Sequence, residues 1–452
     1  MGNNYCVAVF GGAVAGSEAV EQMTSKGVHV VVFDQNKLPY GKIESGLPKW
    51  HVKLRDKQEQ KIDQKLDQPL VHYIPNCRLG QDISFQQITG EWGFNAVLLA
   101  TGAWMDRPLP VPGIEQFLGK GFYYQNPFVQ WFNLCHDPSY DGPQFKIQDN
   151  AVVIGGGLAS IDVAKILMIE NFRNSVAKIG KQIDTITVER LGIKAAAEQL
   201  NVNLSELNMK GCTIYYRRRI IDMPLSPDPQ SDDPEEIKKV HNVREKIVNL
   251  AREKFLFNIV DCHSPKELIE ENDELKGLVF QKNKIENGKA VPLEGSLEFV
   301  YSPLIISSIG SIPEMIPGIK GSIEKFDLED GESGKLAGYE NVFALGNAIT
   351  GKGNIKESQQ HGRKVSESII RDYLGVDRQE HESEYDFKNE ITDQLKPVTQ
   401  FIEQSEAIDD KVFSKILENV KQLQLKAGYN GNYQKWIQQH LPLRMENIKT
   451  PL

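Results

Sequence analysis

Two glycine-rich turns set the terms on which this chain can fold. The first reads Gly11-Gly12-Ala13-Val14-Ala15-Gly16 and the second Gly155-Gly156-Gly157-Leu158-Ala159-Ser160. Each follows a short apolar run, residues 5–10 and 150–154, and opens a stretch of helical character, 14–26 and 161–169. After the first helix, Val28-His29-Val30-Val31-Val32-Phe33 is a β-branched run ending at Asp34. After the second, residues 212–216 form the matching strand, set back by a helical insertion over 170–210. Strand, tight turn, helix and parallel strand make the repeating unit of an open α/β sheet. Two copies about 140 residues apart predict two such units.

In such a turn the first glycine bends the chain, the second lets backbone approach a pyrophosphate, and the third lets helix and strand close up. Gly11 and Gly16 fill the outer roles. Ala13 adds a methyl at the approach point, which a negative φ tolerates, and Gly12 beside it can take up strain. The helix N-terminus still offers N–H groups to phosphate. Asp34 follows Gly16 by 18 residues and is placed to accept from the ribose hydroxyls of an adenosine. The competing reading is a turn that serves packing alone. The second turn keeps Gly155 and Gly157 and has Ser160 at the third position. Its second strand ends on Arg217-Arg218-Arg219 instead of an acid. Guanidinium groups there take a 2′-phosphate through charged, often bidentate contacts, so this cradle is expected to prefer NADP(H). A solvated basic strand end is the alternative, against which three consecutive arginines in a net-acidic chain weigh.

With 452 residues, 40% of them hydrophobic, the chain has room for two or three cores. Its net charge of -9 argues against non-specific nucleic-acid binding. No apolar run approaches the roughly 18 residues of a membrane span. The N-terminus lacks the basic region of a secretory signal, and at Met1-Gly2 a myristoylation start would want Ser or Thr where Cys6 stands. Five scattered cysteines without a C-x-x-C predict neither a dithiol centre nor a metal site, and fit a reducing cytoplasm. Residues 255–299 alternate as antiparallel strands, with a turn at Glu286-Asn287-Gly288. Residues 376–452 are charged and helix-rich, with Val412, Ile416, Val420, Leu423 and Leu425 at amphipathic spacing, and read as a helical appendage.

Further motifs carry a family resemblance. They are Leu38-Pro39-Tyr40-Gly41-Lys42, Gly46-Leu47-Pro48 with His51, and Leu99-Ala100-Thr101-Gly102-Ala103 with Leu109-Pro110-Val111-Pro112-Gly113. After them come Tyr216-Arg217-Arg218 with Met223-Pro224, Ser308-Ile309-Gly310 with Pro313, and Val342-Phe343-Ala344-Leu345-Gly346-Asn347. Over about residues 4–375 the chain resembles the adrenodoxin-type ferredoxin–NADP⁺ reductases and the related small subunit of glutamate synthase. The resemblance implies an α/β fold with two Rossmann-like, three-layer nucleotide-binding domains. A FAD domain (1–108 and 314–375) would be interrupted by a NADP domain (109–313), and the C-terminal helical extension (376–452) would follow.

It further implies that Gly11, Ala13, Ala15, Gly16, Asp34, Gly41, Lys42, Cys77, Thr101 and Gly102 line FAD, mostly by backbone. Gly346, Asn347 and Gly353-Asn354-Ile355 would lie by the flavin ring and pyrophosphate. Gly155, Gly156, Gly157, Leu158 and Ala159 would cradle the NADPH phosphates, with Arg217 and Arg218 at the 2′-phosphate. His51 and Asp162 would meet near the nicotinamide, where a His–Asp pair can move a proton. Without the resemblance they read equally as a surface histidine and a helix acid. The chain departs from the pattern at Asn347, where disulfide reductases carry Asp and adrenodoxin-type enzymes Trp. Its Gly351-Lys352-Gly353-Asn354 loop is one residue short, and the resemblance places no counterpart for the tail 376–452.

The expected function is a FAD-dependent oxidoreductase that takes a hydride from NADPH and feeds a ferredoxin or flavodoxin. The alternatives are a flavin subunit of a larger complex and a non-catalytic flavin-binding assembly protein. Such electron carriers are acidic and need a local basic patch. Lys49-Trp50-His51-Val52-Lys53-Leu54-Arg55-Asp56-Lys57 is the best candidate, with Lys352 and Lys356 to add to it. An ordinary solvated helix is the other reading.

Overall fold

The computed structural model describes residues 4–229, 231–322, 325–329, 333–350 and 388–447. The first apolar runs become strands β1 (Cys6–Phe10), β2 (His29–Phe33), β3 (Val71–Ile74) and β4 (Ala96–Leu99). A pair of short strands, β5 (Met105–Asp106) and β6 (Phe122–Tyr124), leads to β7 (Ala151–Gly155), β8 (Cys212–Tyr215) and β9 (Asn258–Val260). A meander of β10 (His263–Glu271), β11 (Glu274–Glu286) and β12 (Lys289–Tyr301) precedes β13 (Ile305–Ser308) and β14 (Ser311–Ile312). Then come β15 (Gly321–Ser322), β16 (Lys325–Phe326) and β17 (Val342–Ala344).

Two five-stranded parallel sheets result, ordered β17-β4-β1-β2-β3 and β6-β13-β7-β8-β9. The first draws four strands from before residue 100 and its fifth from residues 342–344. All strands of the second lie between, so the chain leaves the first unit and returns to it. Both crossings are made side by side: β5 and β14 pair antiparallel, Asp106 opposite Ser311 and Met105 opposite Ile312.

Strand β1 is buried at all five residues, as a strand covered on both faces must be. Its side chains alternate between two cores. Val7 and Val9 meet Ala19, Val20 and Met23 of helix Val14–Ser25, whereas Cys6, Ala8 and Phe10 meet Phe85, Ile88 and Trp92. Each fully buried aliphatic or aromatic side chain there contributes about 1.5–3 kcal/mol. In the second sheet Val153 packs among Ile161, Ala164 and Ile214, and Val152 and Ile154 among Leu109, Phe117 and Phe280 of the meander side.

The C-terminal helices are present, but they are more than an appendage. Helix Lys388–Gln404 inserts Ile391, Leu395, Val398 and Ile402 into one core of the first unit. Helix Asp410–Ala427 inserts Ile416 and Val420 into the other. Leu425 is 68% exposed, because it lies two residues past Leu423 and falls off the 3.6-residue stripe. Helix Tyr433–His440 seats Tyr433, Trp436 and Ile437 against Tyr73 and Leu66.

Candidate functional site

The first turn is closed by contacts that admit no side chain. A Cβ on Gly16 would lie 1.8 Å from the Gly11 carbonyl oxygen, and one on Gly11 (φ +99°) 2.4 Å from that of Ala100. Helix and strand therefore touch backbone to backbone. Ala13 has φ -70°, as its side chain requires. Its methyl is accommodated by a second glycine: a Cβ on Gly41 (φ +55°) would come within 2.9 Å of it. Ala15 is matched in the same way by Gly346 (φ +60°).

Asp34 stands at the end of β2 and is 3% exposed. One carboxylate oxygen accepts from the Gly12 N–H at 2.9 Å and the other from the Asn36 N–H at 2.9 Å. Burial outweighs these bonds and pushes its pKa up to about 6. The turn opens into a cavity of about 370 Å³. Gly11, Ala13, Ala15, Asp34, Gly41, Lys42, Cys77, Thr101, Gly102, Gly346 and Asn347 all line it, and Gly16 lies behind the turn. Burial pushes the Cys77 thiol up to about 12, which makes it an inert wall. Gly353, Asn354 and Ile355 lie outside the described residues.

Sequence reasoning did not name several residues of the wall as site residues. Tyr40 stands within, and Trp104 directly after, motifs already singled out, and both were legible as neighbours of Gly41 and Gly102. Arg78 and Glu314 face each other at 2.5 Å across the chain's departure and return, a pairing no local pattern could signal. Ile391 also reaches the wall, from the C-terminal helix. Its neighbour Gln394 accepts from the Gly346 N–H at 2.7 Å.

The second turn is built differently. Tyr216, at the end of β8, lies over Gly156, where a Cβ would come within 2.2 Å of its ring. Gly157 caps helix Leu158–Lys178 with φ -90°, and nothing stands within 4 Å of a Cβ there. Ser160 occupies the third glycine's place because its hydroxyl has a partner: it donates to the Ser308 carbonyl oxygen at 3.2 Å. Of the three arginines, Arg219 is held bidentate by Asp222, both contacts at 2.8 Å. Arg218 donates to the Tyr216 hydroxyl at 3.0 Å and the Asp222 carbonyl at 3.1 Å, and Arg217 is exposed. Arg217 and Arg218 therefore stand together beside Gly156, with Leu158 and Ala159 opening the helix.

His51 and Asp162 come together, and neither is at the surface. His51 is 3% and Asp162 4% exposed. The His51 Nε2 lies 3.3 Å from both Asp162 oxygens and 3.0 Å from Nε1 of Trp50. An indole N–H can only donate, so neutral His51 accepts from Trp50 at Nε2. A proton gained there has the Asp162 carboxylate to turn to. Below them Lys165, fully buried, lies 3.7 Å from Asp162, 3.1 Å from Glu189 and 4.7 Å above the Trp50 ring.

Two cations of the basic stretch 49–57 are covered, whereas Lys53 is exposed and Lys57 half-buried. Lys49 and Arg55 are each 2% exposed. The tail covers them: Lys49 donates to the Leu443 carbonyl, and Arg55 pairs with Glu446 at 2.5 Å. Arg444 reaches back to Glu44 at 2.6 Å and Glu59 at 2.7 Å, while Met445 joins the core of the second unit beside Trp50. Arg55, which read as solvated, meets an opposite charge 391 residues later, and Lys49 has Glu44 at 3.8 Å. Lys352 and Lys356 lie outside the described residues.

Comparison with known proteins agrees with this architecture. A family model described as pyridine nucleotide-disulphide oxidoreductase matches residues 5–206. The chain is 24% identical over 357 residues to the mitochondrial NADPH:adrenodoxin oxidoreductase of Arabidopsis thaliana, covering 70% of this chain and 72% of the relative. It is 22% identical over 382 residues to a putative glutamate synthase (NADPH) small chain of Cereibacter sphaeroides, covering 81% and 76%. Among solved structures, FprA, a Mycobacterium tuberculosis oxidoreductase, superposes with a TM-score of 0.66 at 18% identity, over 94% of this chain and 91% of that one. That likeness establishes a shared fold.

Proposed function

We propose that the chain, whose residues 5–206 match the pyridine nucleotide-disulphide oxidoreductase family model, is an NADPH-dependent flavoprotein oxidoreductase serving a ferredoxin- or flavodoxin-type acceptor. Residues 1–108 and 314–375 would form the FAD domain, 109–313 the NADP domain, and 376–452 the helical extension. Five free cysteines support a cytoplasmic setting.

The residues of the first cavity fit FAD. Gly11, Gly41 and Gly346 at positive φ present backbone there, and Asp34 has lone pairs left for ribose hydroxyls. The chemistry FAD supplies when bound is acceptance of a hydride and release of electrons singly or in pairs. The chain's own part is to bind and orient. The second turn and its helix N-terminus would receive the NADPH pyrophosphate, and Arg217 and Arg218 the 2′-phosphate. His51 Nε2 would hold or pass a proton, with Asp162 stabilising the charged ring. The observation that carries this reading is the contact of His51, from the first unit, with Asp162, on the helix that the second turn opens.

The test is a spectrum of the purified protein, then anaerobic titration with NADPH and with NADH. A yellow protein bleached by NADPH at far lower concentration than by NADH is expected. A colourless protein, or equal response to both nucleotides, overturns the reading. Bleaching also excludes the non-catalytic alternative.

One observation favours the reading as a subunit of a larger complex. On β12, at the free edge of the meander, Leu297, Phe299 and Tyr301 share a face and are 43%, 63% and 58% exposed. Gel filtration of the protein from its own extract, with a stoichiometric partner in the peak, would favour it.

A further inference from the structure

The two crossings between the units meet a charged side chain that the reaction as set out above does not use. Lys42 follows Gly41 in the wall of the first cavity. Its ammonium does not stay in the first unit. It donates to the Ser311 hydroxyl oxygen at 2.8 Å, on the returning crossing β14, and to the Asn126 side-chain oxygen at 3.1 Å, on helix Gln125–Leu134 of the second unit. Asn126 ties the rest of the junction. Its side-chain amide donates to the Trp104 carbonyl and to Ser311, each at 3.1 Å, and its backbone N–H to Asp106 on the outgoing crossing β5 at 3.2 Å.

One hydrogen-bonded knot therefore holds both crossing strands, the first helix of the second unit and, through Lys42 and Trp104, the wall of the first cavity. An aliphatic side chain would fill that wall without the cost of desolvating an ammonium. Burial does tell on the charge: it lowers the Lys42 pKa to about 8, and Asp106 is the charged group that opposes the shift.

We infer that Lys42 is a positioning residue that fixes the angle between the two units and couples it to occupation of the first cavity. The inference rests on the proposed flavin site for its second half only. A nucleotide lying against Gly41, Lys42 and Trp104 would brace the knot from the cavity side, and the nicotinamide site would be assembled only when the cavity is filled.

The test uses full-length Lys42→Met, Lys42→Arg and Ser311→Ala proteins. Hydrogen exchange at Arg107 and Ile312, whose amides belong to the crossing, is read first without added nucleotide. The wild-type Arg107 N–H bonds to the Gly310 carbonyl at 2.9 Å. Lys42→Met and Ser311→Ala should speed exchange there about tenfold, the effect of one charge-assisted hydrogen bond. Lys42→Arg should recover most of the protection. Wild-type exchange in both Lys42→Met and Ser311→Ala overturns the inference whether or not flavin binds.

With FAD bound, Lys42→Met should reduce kcat for flavin bleaching about tenfold and leave KM for NADPH within about twofold. The wild-type rate should fall above about pH 8, as the amine loses its proton, and Lys42→Arg should lack that limb. A yellow Lys42→Met protein with wild-type kcat overturns the coupling. A colourless wild type instead overturns the proposed function and leaves the exchange result standing.

Discussion

The two glycine turns are equally tight at their first glycine, where a Cβ would lie 2.4 Å from a neighbouring carbonyl oxygen at Gly11 and 2.2 Å at Gly155, and part ways beyond it. In the first, helix and strand touch backbone to backbone, and Asp34 closes on the Gly12 N–H. The cavity beyond it is walled by Leu345, Gly346 and a residue of the C-terminal helix. In the second, the helix cap faces open space at Gly157 and Arg217 projects into solvent. A deep wall on several elements suits a group that stays, because release requires local opening. An open cap with an exposed cation suits a ligand that arrives by diffusion and leaves. On the proposed function the motif would supply phosphate affinity in both, and what surrounds it would decide residence.

The sharpest way to break this comparison is to add a side chain to each turn. Gly16→Val places its Cβ 1.8 Å from a backbone oxygen that belongs to the same turn and cannot move aside. A loss of about 3 kcal/mol or more is expected, with a colourless product. Gly157→Ala meets nothing within 4 Å and has a negative φ. Its melting temperature and colour should match wild type, while KM for NADPH rises. Thermal unfolding and the visible spectrum read both. Equal tolerance at the two positions would show that the turns do not differ in closure.

Much of this contrast was legible beforehand, and the residues show why the rest was not. Strand–turn–helix order, Asp34 and the arginines were carried by local pattern, and the His51–Asp162 pairing by the family resemblance alone. Ala13 was legible only as a departure. Its resolution lies in Gly41, 28 residues later, because a missing Cβ in one segment makes room for a methyl in another. The stretch 49–57 misled for a related reason. A run of Lys and Arg reads as solvated until what covers it is found, and Glu446, which pairs with Arg55, and Leu443, whose carbonyl accepts from Lys49, arrive only at the far end of the chain. The tail helices declared an apolar face but not what it would cover. Pairings distant in sequence leave no period to read.

A smaller effect sharpens the second cradle. Arg219 is already engaged by Asp222, so not all three arginines are available to a phosphate. Replacing Arg217 and Arg218 together by Ala should erode the preference for NADPH over NADH by about 2–4 kcal/mol, the scale of two charge-assisted contacts. Arg219→Ala should leave the ratio of the two kcat/KM values within about twofold. If Arg219 matters as much as the other two, the bidentate pair is not what sets the division of labour among them.

The smallest effect concerns Asp34 and separates an empty first cradle from a filled one. Burial raises its pKa to about 6, above the ordinary 3.8. A folded-state value above the unfolded one means that the folded protein binds the proton more tightly. The stabilisation is complete below the unfolded value and is lost as pH rises through about 6. Flavin-free protein should therefore be more stable at pH 5 than at pH 8 by about 1.5 kcal/mol from this group. Asp34→Asn should flatten that slope, as read by denaturant unfolding at the two pH values. Ribose hydroxyls donating to the carboxylate would favour its ionised form and pull the pKa back down, so the flavin-loaded protein should show less of the slope. The second cradle ends in guanidinium groups that do not titrate in this range, and offers no counterpart. A slope that survives both Asp34→Asn and flavin loading would place its origin in another carboxyl, with Glu59, held near 7 by burial beside Glu44, the first to examine.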